Sequence, residues 1–404
     1  MSEFQSLRGF HDLLGEEFKR FKYVSELVRG KLKLYNFEEI VLPVVEYLEV
    51  FRRSIGEATD IVQKEMFAFQ DRKGRWLALR PEGTAGAVRA YIQNRLYALK
   101  PYTKLFYEGP MFRYERPQAG RYRQFHQIGA EVFGSIDPLV DAEIIQIVYE
   151  ILSELNAKVI IEINSIGCKV CRPPYKEALS TYLSKVTDHL CEVCIDRSDR
   201  NPLRVLDCKV PTCKEAVKEA PKMVDFLCNE CREHYSKLKE YLTLLSIPYR
   251  ENPHLVRGLD YYTKTVFEAV SEELDVALIA GGRYDYLVEE MGGPPTPAVG
   301  FAVGVERLSL LVREGLTEDP LYMLIPFGDV MDYALLVAKA LRSEGKRVEL
   351  SYKRAGLKKQ LELANRLGAK YAVLVGEEER AGNFYTLKDM ETGHQLKIEL
   401  SPAM

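Results

Sequence analysis

The stretch "FRYERPQAGRYRQFHQIGAEVFG", residues 112–134, predicts, together with the residues before it, a β-hairpin over residues 104–134. Four arginines fall within eleven positions of this stretch, and a carboxylate, Glu131, follows them near its end. So many guanidinium groups in one hairpin indicate either an anion-binding surface or an exposed surface held by salt bridges.

The odd-numbered positions of each strand of this hairpin share one face. If the two faces coincide, Gly109 and Gly129 leave a floor without side chains, and arginines surround it. Guanidinium groups match phosphate oxygens bidentately, so this face suits a flat, polyanionic ligand such as a nucleotide. The polar side chains that it gathers are Arg113, Glu115, Arg121, Arg123, Gln127 and Glu131.

Consecutive strands surround the hairpin, with helices at the edges. This order predicts a largely antiparallel sheet rather than repeated βαβ units. We also expect a left-handed turn at Asn36, after the first helix, and a helix cap at Thr84. One predicted strand follows Asn36 and ends at Pro43. The other predicted strands cover residues 66–71, 75–80, 158–165, 263–270, 276–285 and 298–304. The predicted helices cover residues 18–35, 83–96, 140–155 and 305–314.

The pattern changes after a predicted linker at residues 315–321. Strands at 321–328, 347–352 and 371–376 alternate there with helices at 330–344 and 357–367. Such alternation favours a small α/β domain with a parallel sheet.

Length and composition are typical of a soluble, folded protein of two or three domains. The chain has 404 residues, of which 47% are hydrophobic and 28% charged. Its amino end carries acids and no long apolar run, so we expect no signal peptide, no membrane anchor and a cytoplasmic location. The net charge of −3 does not by itself indicate a nucleic-acid partner.

All eight cysteines lie between Cys168 and Cys231, in a region that we expect to be helical and charged to about residue 245. Eight thiolates would fill two tetrahedral zinc sites, and buried, reduced cysteines are the alternative. Disulfides are disfavoured for a cytoplasmic protein. The cysteines form four pairs in the sequence, Cys168/Cys171, Cys191/Cys194, Cys208/Cys213 and Cys228/Cys231.

Residues 107–134 resemble motif 2 of the class II aminoacyl-tRNA synthetases, in the form that histidyl-tRNA synthetases use. "EEIVLPVVE", residues 38–46, is similar to motif 1 of that class. "LALRPEGTAGAVRAYI", residues 77–92, resembles the amino-acid-binding turn, and "AVGFAVGVERLSLL", residues 298–311, resembles motif 3.

Two further segments resemble sequences peculiar to the histidine enzymes. They are "LVRGLDYYTKTVFE", residues 255–268, and "AGGRYDYLV", residues 280–288. The resemblance covers nearly the whole chain, and the ordered combination is more specific than any single motif.

The resemblance implies an ATP site. Arg113 would hold the α-phosphate and Arg307 the far end of the triphosphate. Glu115 and Arg121 would line the same site. Arg257 would lie between the substrate carboxylate and the α-phosphate, so that Arg257 and Arg113 are the expected catalytic residues. Fixed cations lower the barrier when two anions react, and Mg²⁺ usually shares this task.

The resemblance also implies a histidine site. Glu82, Thr84 and Gln127 would hold the substrate's ammonium group. Glu131 and Tyr262 would recognise the imidazole ring. The implied set is Glu82, Thr84, Gln127, Glu131, Arg257, Tyr261 and Tyr262. Arg257 and Tyr262 fall on opposite faces of an ideal strand, so the segment between them must bend.

The expected architecture is α/β overall, with an antiparallel catalytic sheet and flanking helices at residues 1–167 and 249–316. A helical insertion would occupy 168–248, and an α/β anticodon-binding domain 322–404. The resemblance implies a homodimer that uses L-histidine, ATP and tRNA(His). Two alternatives are a histidine-binding regulatory subunit without catalysis and an enzyme that activates an amino acid for another acceptor. The presence of Arg257 and of residues 322–404 argues against the first, and residues 322–404 also argue against the second.

Overall fold

A computed structural model of the chain describes residues 4–57, 59–118, 120–271, 276–313, 319–352 and 355–400. The chain divides into two compact units, Met1–Glu314 and Gly315–Met404. The linker predicted at residues 315–321 lies mostly outside the described residues.

Unit 1 is built on a large sheet. Its strands, with those of a small neighbouring sheet, are β1 (Glu38–Glu39), β2 (Val45–Tyr47), β3 (Ala68–Gln70), β4 (Trp76–Leu79), β5 (Thr103–Phe112), β6 (Gln124–Phe133), β7 (Val159–Ser165), β8 (Arg250–Glu251), β9 (Thr263–Ser271), β10 (Val276–Arg283) and β11 (Ala298–Gly304). Among the described residues the large sheet has eight strands, in the order β1-β5-β6-β11-β10-β9-β7-β8. Only the outermost pairs, β1–β5 and β7–β8, run parallel. The prediction of a largely antiparallel sheet is therefore confirmed.

Helices flank the sheet of unit 1. They are α1 (Gly15–Leu34), α2 (Leu48–Ile55), α3 (Thr84–Gln93), α4 (Pro138–Glu154), α5 (Arg172–Lys185), α6 (Glu192–Arg200), α7 (Pro211–Ala216), α8 (Asn229–Leu244), α9 (Leu287–Glu290) and α10 (Val305–Ser309). In α1, Val24, Val28 and Leu32 recur every fourth residue and are fully buried, so one face of the helix packs inward. Asn36 follows α1 with φ 61°, the left-handed turn that the sequence predicts.

The hairpin has the register that joins its two odd-numbered faces. Tyr107 pairs with Gly129, and Gly109 pairs with Gln127. The faces therefore coincide, which meets the condition set for a shared polar surface. The strands, however, stop at Phe112 and resume at Gln124, so the arginines between them lie on a loop whose side chains do not follow the alternation of a strand.

The helix after β11 is shorter than predicted. The sequence predicts a helix over residues 305–314, whereas α10 ends at Ser309 and turns follow it. The Ser309 hydroxyl donates to the Val305 carbonyl at 2.7 Å, a local bond that competes with regular helix geometry.

The cysteine-bearing region is helical, as predicted, and ends with α8 at Leu244. A separate hydrophobic cluster forms around its cysteines, with Tyr175 and Leu179 of α5 fully buried in it. Helix α8 also packs against α4, which connects this region to the main sheet. The proposed boundaries of the insertion stay a prediction.

Unit 2 is a mixed sheet covered by helices. Its elements are β12 (Leu321–Pro326), α11 (Met331–Ser343), β13 (Arg347–Leu350), α12 (Leu357–Arg366), β14 (Tyr371–Val375), α13 (Glu377–Gly382), β15 (Phe384–Asp389) and β16 (Gln395–Glu399). Strands β13, β12 and β14 are parallel, as predicted. Strands β15 and β16 extend the sheet antiparallel and were not predicted.

Within the described part of the chain, no helix combines the length and apolar character that crossing a membrane requires.

Candidate active site

A cleft of about 1070 Å³ opens in unit 1. It collects side chains from the hairpin, from the start of α3, from the segment before β9 and from the start of α10. Every residue that the sequence predicts for ATP or histidine lines it. These residues are Glu82, Thr84, Arg113, Glu115, Arg121, Gln127, Glu131, Arg257, Tyr261, Tyr262 and Arg307.

Glu131 lies at the buried end of the cleft and is 1% exposed. Its Oε1 accepts hydrogen bonds from the hydroxyls of Thr84 at 2.8 Å and Tyr107 at 2.9 Å. Its Oε2 accepts one from the Tyr284 hydroxyl at 2.5 Å. A Cβ atom at position 300 would lie 1.8 Å from that Oε2, so only glycine leaves room for the carboxylate there. Three hydroxyls thus hold Glu131 in place, and none of these bonds comes from an arginine.

Burial raises the pKa of Glu131 to about 7. The hydrogen bonds from Tyr284, Thr84 and Tyr107 oppose this rise because they stabilise the charged form, whereas the nearby charge of Glu82 adds to it. Burial therefore brings the pKa of this carboxyl group close to neutral pH.

The glycines of the hairpin do not form the open floor that the sequence predicts. A Cβ atom on Gly129 would lie 2.2 Å from the Tyr107 ring, and one on Gly109 would lie 2.2 Å from the Arg80 guanidinium. These two side chains occupy the space above the glycines. The prediction is wrong because the missing side chains make room for other protein groups rather than for the ligand.

Glu82, not Thr84, caps helix α3. The Glu82 carboxylate accepts from the backbone N–H of Thr84 at 2.6 Å and of Ala85 at 2.9 Å. The predicted Thr84 cap is wrong, because Thr84 is already the first helical residue and its hydroxyl is bonded to Glu131. Burial raises the pKa of Glu82, and the two N–H groups oppose that rise.

The segment between Arg257 and Tyr262 bends, as the sequence requires. It forms a turn at residues 258–261, before β9 begins at Thr263. The Arg257 guanidinium carbon lies 5.7 Å from the centre of the Tyr262 ring, so both side chains face the cleft together. The Tyr261 ring lies 4.6 Å from the Tyr262 ring.

Arg257 is paired with Glu268 of β9. Burial lowers the pKa of Arg257, but Glu268, Tyr262 and Tyr261 together outweigh this effect, so the pKa is raised overall. The Arg257 Nε atom is buried and has no hydrogen-bond partner among the described residues. The same holds for Gln127 Oε1. Buried polar atoms of this kind are uncommon and indicate positions where a ligand binds.

The other arginines form a cationic end of the cleft. Arg113 donates to the Pro81 carbonyl at 2.8 Å, and Arg121 pairs with Glu115 at 2.7 Å. Arg307 donates to the Gly120 carbonyl at 2.8 Å. Burial lowers the pKa of Arg307, and the charge of Arg121 lowers it further. Such mutual repulsion between fixed cations favours a polyanionic ligand.

Arg123 does not belong to this group. Its guanidinium lies 3.7 Å from the centre of the Tyr114 ring, and its Nε donates to the Glu115 carbonyl at 3.2 Å. Its backbone N–H donates to Gly9 at 2.9 Å. Arg123 therefore holds the loop against the amino-terminal segment rather than lining the cleft.

Sequence reasoning missed the partners that hold the site together. Tyr107 and Tyr284 fix Glu131, and Glu268 neutralises Arg257. Signals for two of them were present, because Tyr107 shares the odd-numbered face of the hairpin and Tyr284 belongs to the "GGRYD" segment.

The eight cysteines are all free and come together as two groups of four. The first cluster is Cys168, Cys171, Cys228 and Cys231, and the second cluster is Cys191, Cys194, Cys208 and Cys213. Within each cluster all four sulphur atoms lie within 4.8 Å of one another. Cys208 also reaches the lining of the cleft.

Comparisons with known proteins agree in pointing to one family. A family model described as Histidyl-tRNA synthetase matches residues 9–308, and one described as Anticodon binding domain matches residues 322–404. The histidine–tRNA ligase of Aquifex aeolicus is 69% identical over 398 residues, which cover 98% of this chain and 99% of that protein.

More distant proteins agree. The histidine–tRNA ligase of Clostridium botulinum (strain Kyoto) is 47% identical over 403 residues, covering 98% of this chain and 97% of that protein. The crystal structure of apo histidyl-tRNA synthetase from S. aureus matches with a TM-score of 0.81 at 35% identity. That match covers 98% of this chain and 97% of the other.

Proposed function

The chain belongs to the histidyl-tRNA synthetase family, and we propose that it is a histidine–tRNA ligase. The enzyme activates L-histidine with ATP to histidyl-adenylate and pyrophosphate. It then transfers the histidyl group to the 3′-terminal adenosine of tRNA(His).

The observation that carries the proposal is the buried carboxylate of Glu131. A carboxylate offers about four lone-pair positions, and hydroxyls occupy three of those on Glu131. The free position accepts an N–H from an imidazole ring, and the Tyr262 hydroxyl donates to the other ring nitrogen. An imidazole is the side chain that offers both a donor and an acceptor in one ring, so this pair selects histidine.

The rest of the substrate is held by the cleft atoms that lack a protein partner. The ammonium group donates to Gln127 Oε1, with Glu82 and Thr84 beside it. The Arg257 guanidinium lies between the substrate carboxylate and the α-phosphate, and its Nε–H donates to one of these two anions. Both atoms are buried, so leaving them unpaired costs roughly 1–3 kcal/mol each, which ligand binding recovers.

Adenylation brings the substrate carboxylate against the α-phosphate of ATP. The carboxylate oxygen attacks phosphorus and pyrophosphate leaves, so no protein nucleophile is required. Arg113 and Arg257 stabilise the charge that gathers at phosphorus, and Arg307 and Arg121 hold the far phosphates. Because hydrogen bonds and ion pairs to protein groups already orient these cations, little reorganisation is needed as the reaction proceeds.

Mg²⁺ would neutralise the triphosphate further when bound. The donor chemistry of the cleft fits this ion, which prefers carboxylate and phosphate oxygens. Glu115 and Glu268, which line the cleft beside the arginines, would hold it. Zinc is proposed only for the two cysteine clusters, as a structural ion.

The second reaction step requires tRNA. Lys209, Lys214 and Lys218 of the cysteine-bearing region line the cleft and offer cations to phosphates of the acceptor end. Unit 2 matches the anticodon-binding model and would bind the anticodon. We place the catalytic domain at 1–167 and 249–316, the insertion at 168–248 and the anticodon-binding domain at 322–404. The enzyme would act as a homodimer in the cytoplasm.

Histidine-dependent exchange of labelled pyrophosphate into ATP tests the activation step. Exchange should require histidine and should not occur with glutamine or phenylalanine, which leave the buried pocket groups unpaired. Histidine binding without exchange would contradict the proposal and support the regulatory alternative.

A further inference from the structure

The two cysteine clusters have the dimensions of sites for single metal ions. The sulphur atoms of Cys168 and Cys171 lie 3.6 Å apart, those of Cys168 and Cys228 3.9 Å, and those of Cys191 and Cys208 4.0 Å. Four thiolates at 2.3 Å round a tetrahedral zinc ion are separated by about 3.8 Å. In a four-iron cluster each thiolate binds a different iron, which holds the sulphurs further apart.

Backbone N–H groups point at the sulphur atoms of both clusters. Val170 donates to Cys168 at 3.4 Å and Cys228 to Cys171 at 3.2 Å. In the second cluster, Cys191 donates to Cys213 at 3.1 Å. These bonds offset the negative charge of thiolates and orient them, as outer-sphere bonds do round metal ligands.

The pairs of the sequence combine in a definite way. The first and last pairs form the first cluster, which joins the end of β7 to the start of α8. The two middle pairs form the second cluster, between α6 and α7. Each ion would thus join segments distant in sequence, in a region whose helices α6 and α7 are too short to be stable alone.

The first cluster is also linked to the wall of the histidine pocket. Arg172, which follows Cys171, donates from Nη2 to the backbone carbonyl of Tyr262. The Lys264 N–H donates to the Gly167 carbonyl at 2.8 Å, beside Cys168. The Lys264 ammonium pairs with Glu230, beside Cys231, at 2.8 Å. Residues next to three of the four cysteines are therefore joined by hydrogen bonds or an ion pair to the segment that carries Tyr262.

We propose that each cluster binds one zinc ion through four thiolates, and that the ion in the first cluster positions Tyr262 through Arg172. The second half of this statement rests on the proposed function, because it assigns Tyr262 to histidine. The first half does not depend on any activity.

Elemental analysis of the full-length protein, purified without chelators, tests the metal. We expect two zinc ions per chain. Iron in place of zinc would overturn the proposal, as would metal-free protein of full thermal stability with eight freely reacting thiols.

Two sets of serine variants test how the pairs combine. Replacing all four cysteines of the first cluster should leave one zinc ion per chain. Replacing Cys168, Cys171, Cys191 and Cys194 disrupts both clusters and should leave none. The opposite result would mean that the pairs combine differently. If the variants do not fold, cobalt(II) substituted into the wild-type protein must show the absorption of tetrahedral sulphur ligation at both sites, and octahedral spectra would overturn the proposal.

Arg172→Ala tests the link to the pocket, with Arg232→Ala as a matched control. Arg232 follows Cys231 but donates to the Leu227 carbonyl at 3.2 Å, away from the pocket. We expect Arg172→Ala to raise the KM for histidine about tenfold, the scale of a lost bond from a charged group. The KM for ATP and the zinc content should stay unchanged, and Arg172→Lys should recover part of the loss. Equal KM values in both alanine variants would refute the link while leaving the zinc sites intact. Absence of histidine activation in the wild type would refute the proposed function instead.

Discussion

Replacing Glu131 with glutamine removes one charge from the buried end of the cleft and keeps the size of the side chain. In the protein, Glu131 accepts bonds from Thr84, Tyr107 and Tyr284. Hydroxyl groups can accept as well as donate, so they can turn to bond a glutamine amide. We therefore expect the variant to fold and to lose mainly its recognition of the imidazole ring.

The size of the expected decrease in histidine activation follows from the hydrogen bond that the substrate loses. Glu131 is 1% exposed, so water does not replace the missing charge. A hydrogen bond to a charged group contributes roughly 1.5–3 kcal/mol. This energy corresponds to a decrease of roughly 10- to 150-fold in kcat/KM for histidine. The ATP site lies among Arg113, Arg121 and Arg307, so the KM for ATP should hardly change.

Pyrophosphate exchange at varied histidine and at varied ATP measures both values. Thr84→Ser, which keeps the hydroxyl that contacts Glu131, provides a control for disturbance of the pocket. Normal activation of histidine by Glu131→Gln would show that Glu131 is structural and does not select the imidazole ring.

The same variant has a second, pH-dependent signature. Burial raises the pKa of Glu131 from 4.5 to about 7. Between these values the native protein keeps a proton that the unfolded chain has lost, so the stability due to this group falls as pH rises. The loss is at most on the order of 3 kcal/mol. Glutamine does not titrate, so the melting temperature of Glu131→Gln without ligands should rise relative to wild type between pH 5 and pH 8. A constant difference would contradict the buried, titrating carboxylate.

Three other predictions follow from the cleft and from unit 2. Arg257→Ala should strongly lower the single-turnover rate of adenylation but leave the affinities for ATP and histidine within a modest factor of the wild-type values. A near-normal rate would contradict a catalytic role for Arg257. A fragment ending at Glu314 should still form adenylate but charge tRNA poorly, and charging equal to that of the whole chain would mean that unit 2 has another task. Replacing Lys209, Lys214 and Lys218 with alanine should weaken charging and its dependence on salt but not pyrophosphate exchange, whereas an unchanged salt dependence would exclude these lysines from phosphate contact.

The fold could be predicted from the sequence where the alternation of side chains along a strand, or a residue with unusual backbone preferences, constrains it. The alternation along the hairpin predicts which side chains share a face of each strand, whereas the register, with Gly109 opposite Gln127, came only from the structure. Asn36 predicts a left-handed turn because few other residues tolerate one. Strand β16 was not predicted because it is a mostly exposed edge strand with little hydrophobic pattern. Strand β15 was also not predicted, although it is half-buried between β14 and β16.

The site was less predictable, because its support comes from residues distant in sequence. The sequence places Thr84 where a helix cap belongs, but Glu82 competes for the same N–H groups and Glu131 for the hydroxyl. A glycine in the sequence indicates that another group can approach its backbone closely, but it does not identify that group. Tyr107 above Gly129 and Arg80 above Gly109 could therefore be found only in three dimensions.

The proposed ligase activity is tested most directly by the charging of tRNA(His) by the purified full-length protein with L-histidine and ATP. We predict histidyl-tRNA formed in proportion to ATP cleaved to AMP and pyrophosphate, and none when phenylalanine or glutamine replaces histidine. Histidine-dependent pyrophosphate exchange without any transfer to tRNA(His) would contradict the assignment and indicate another acceptor.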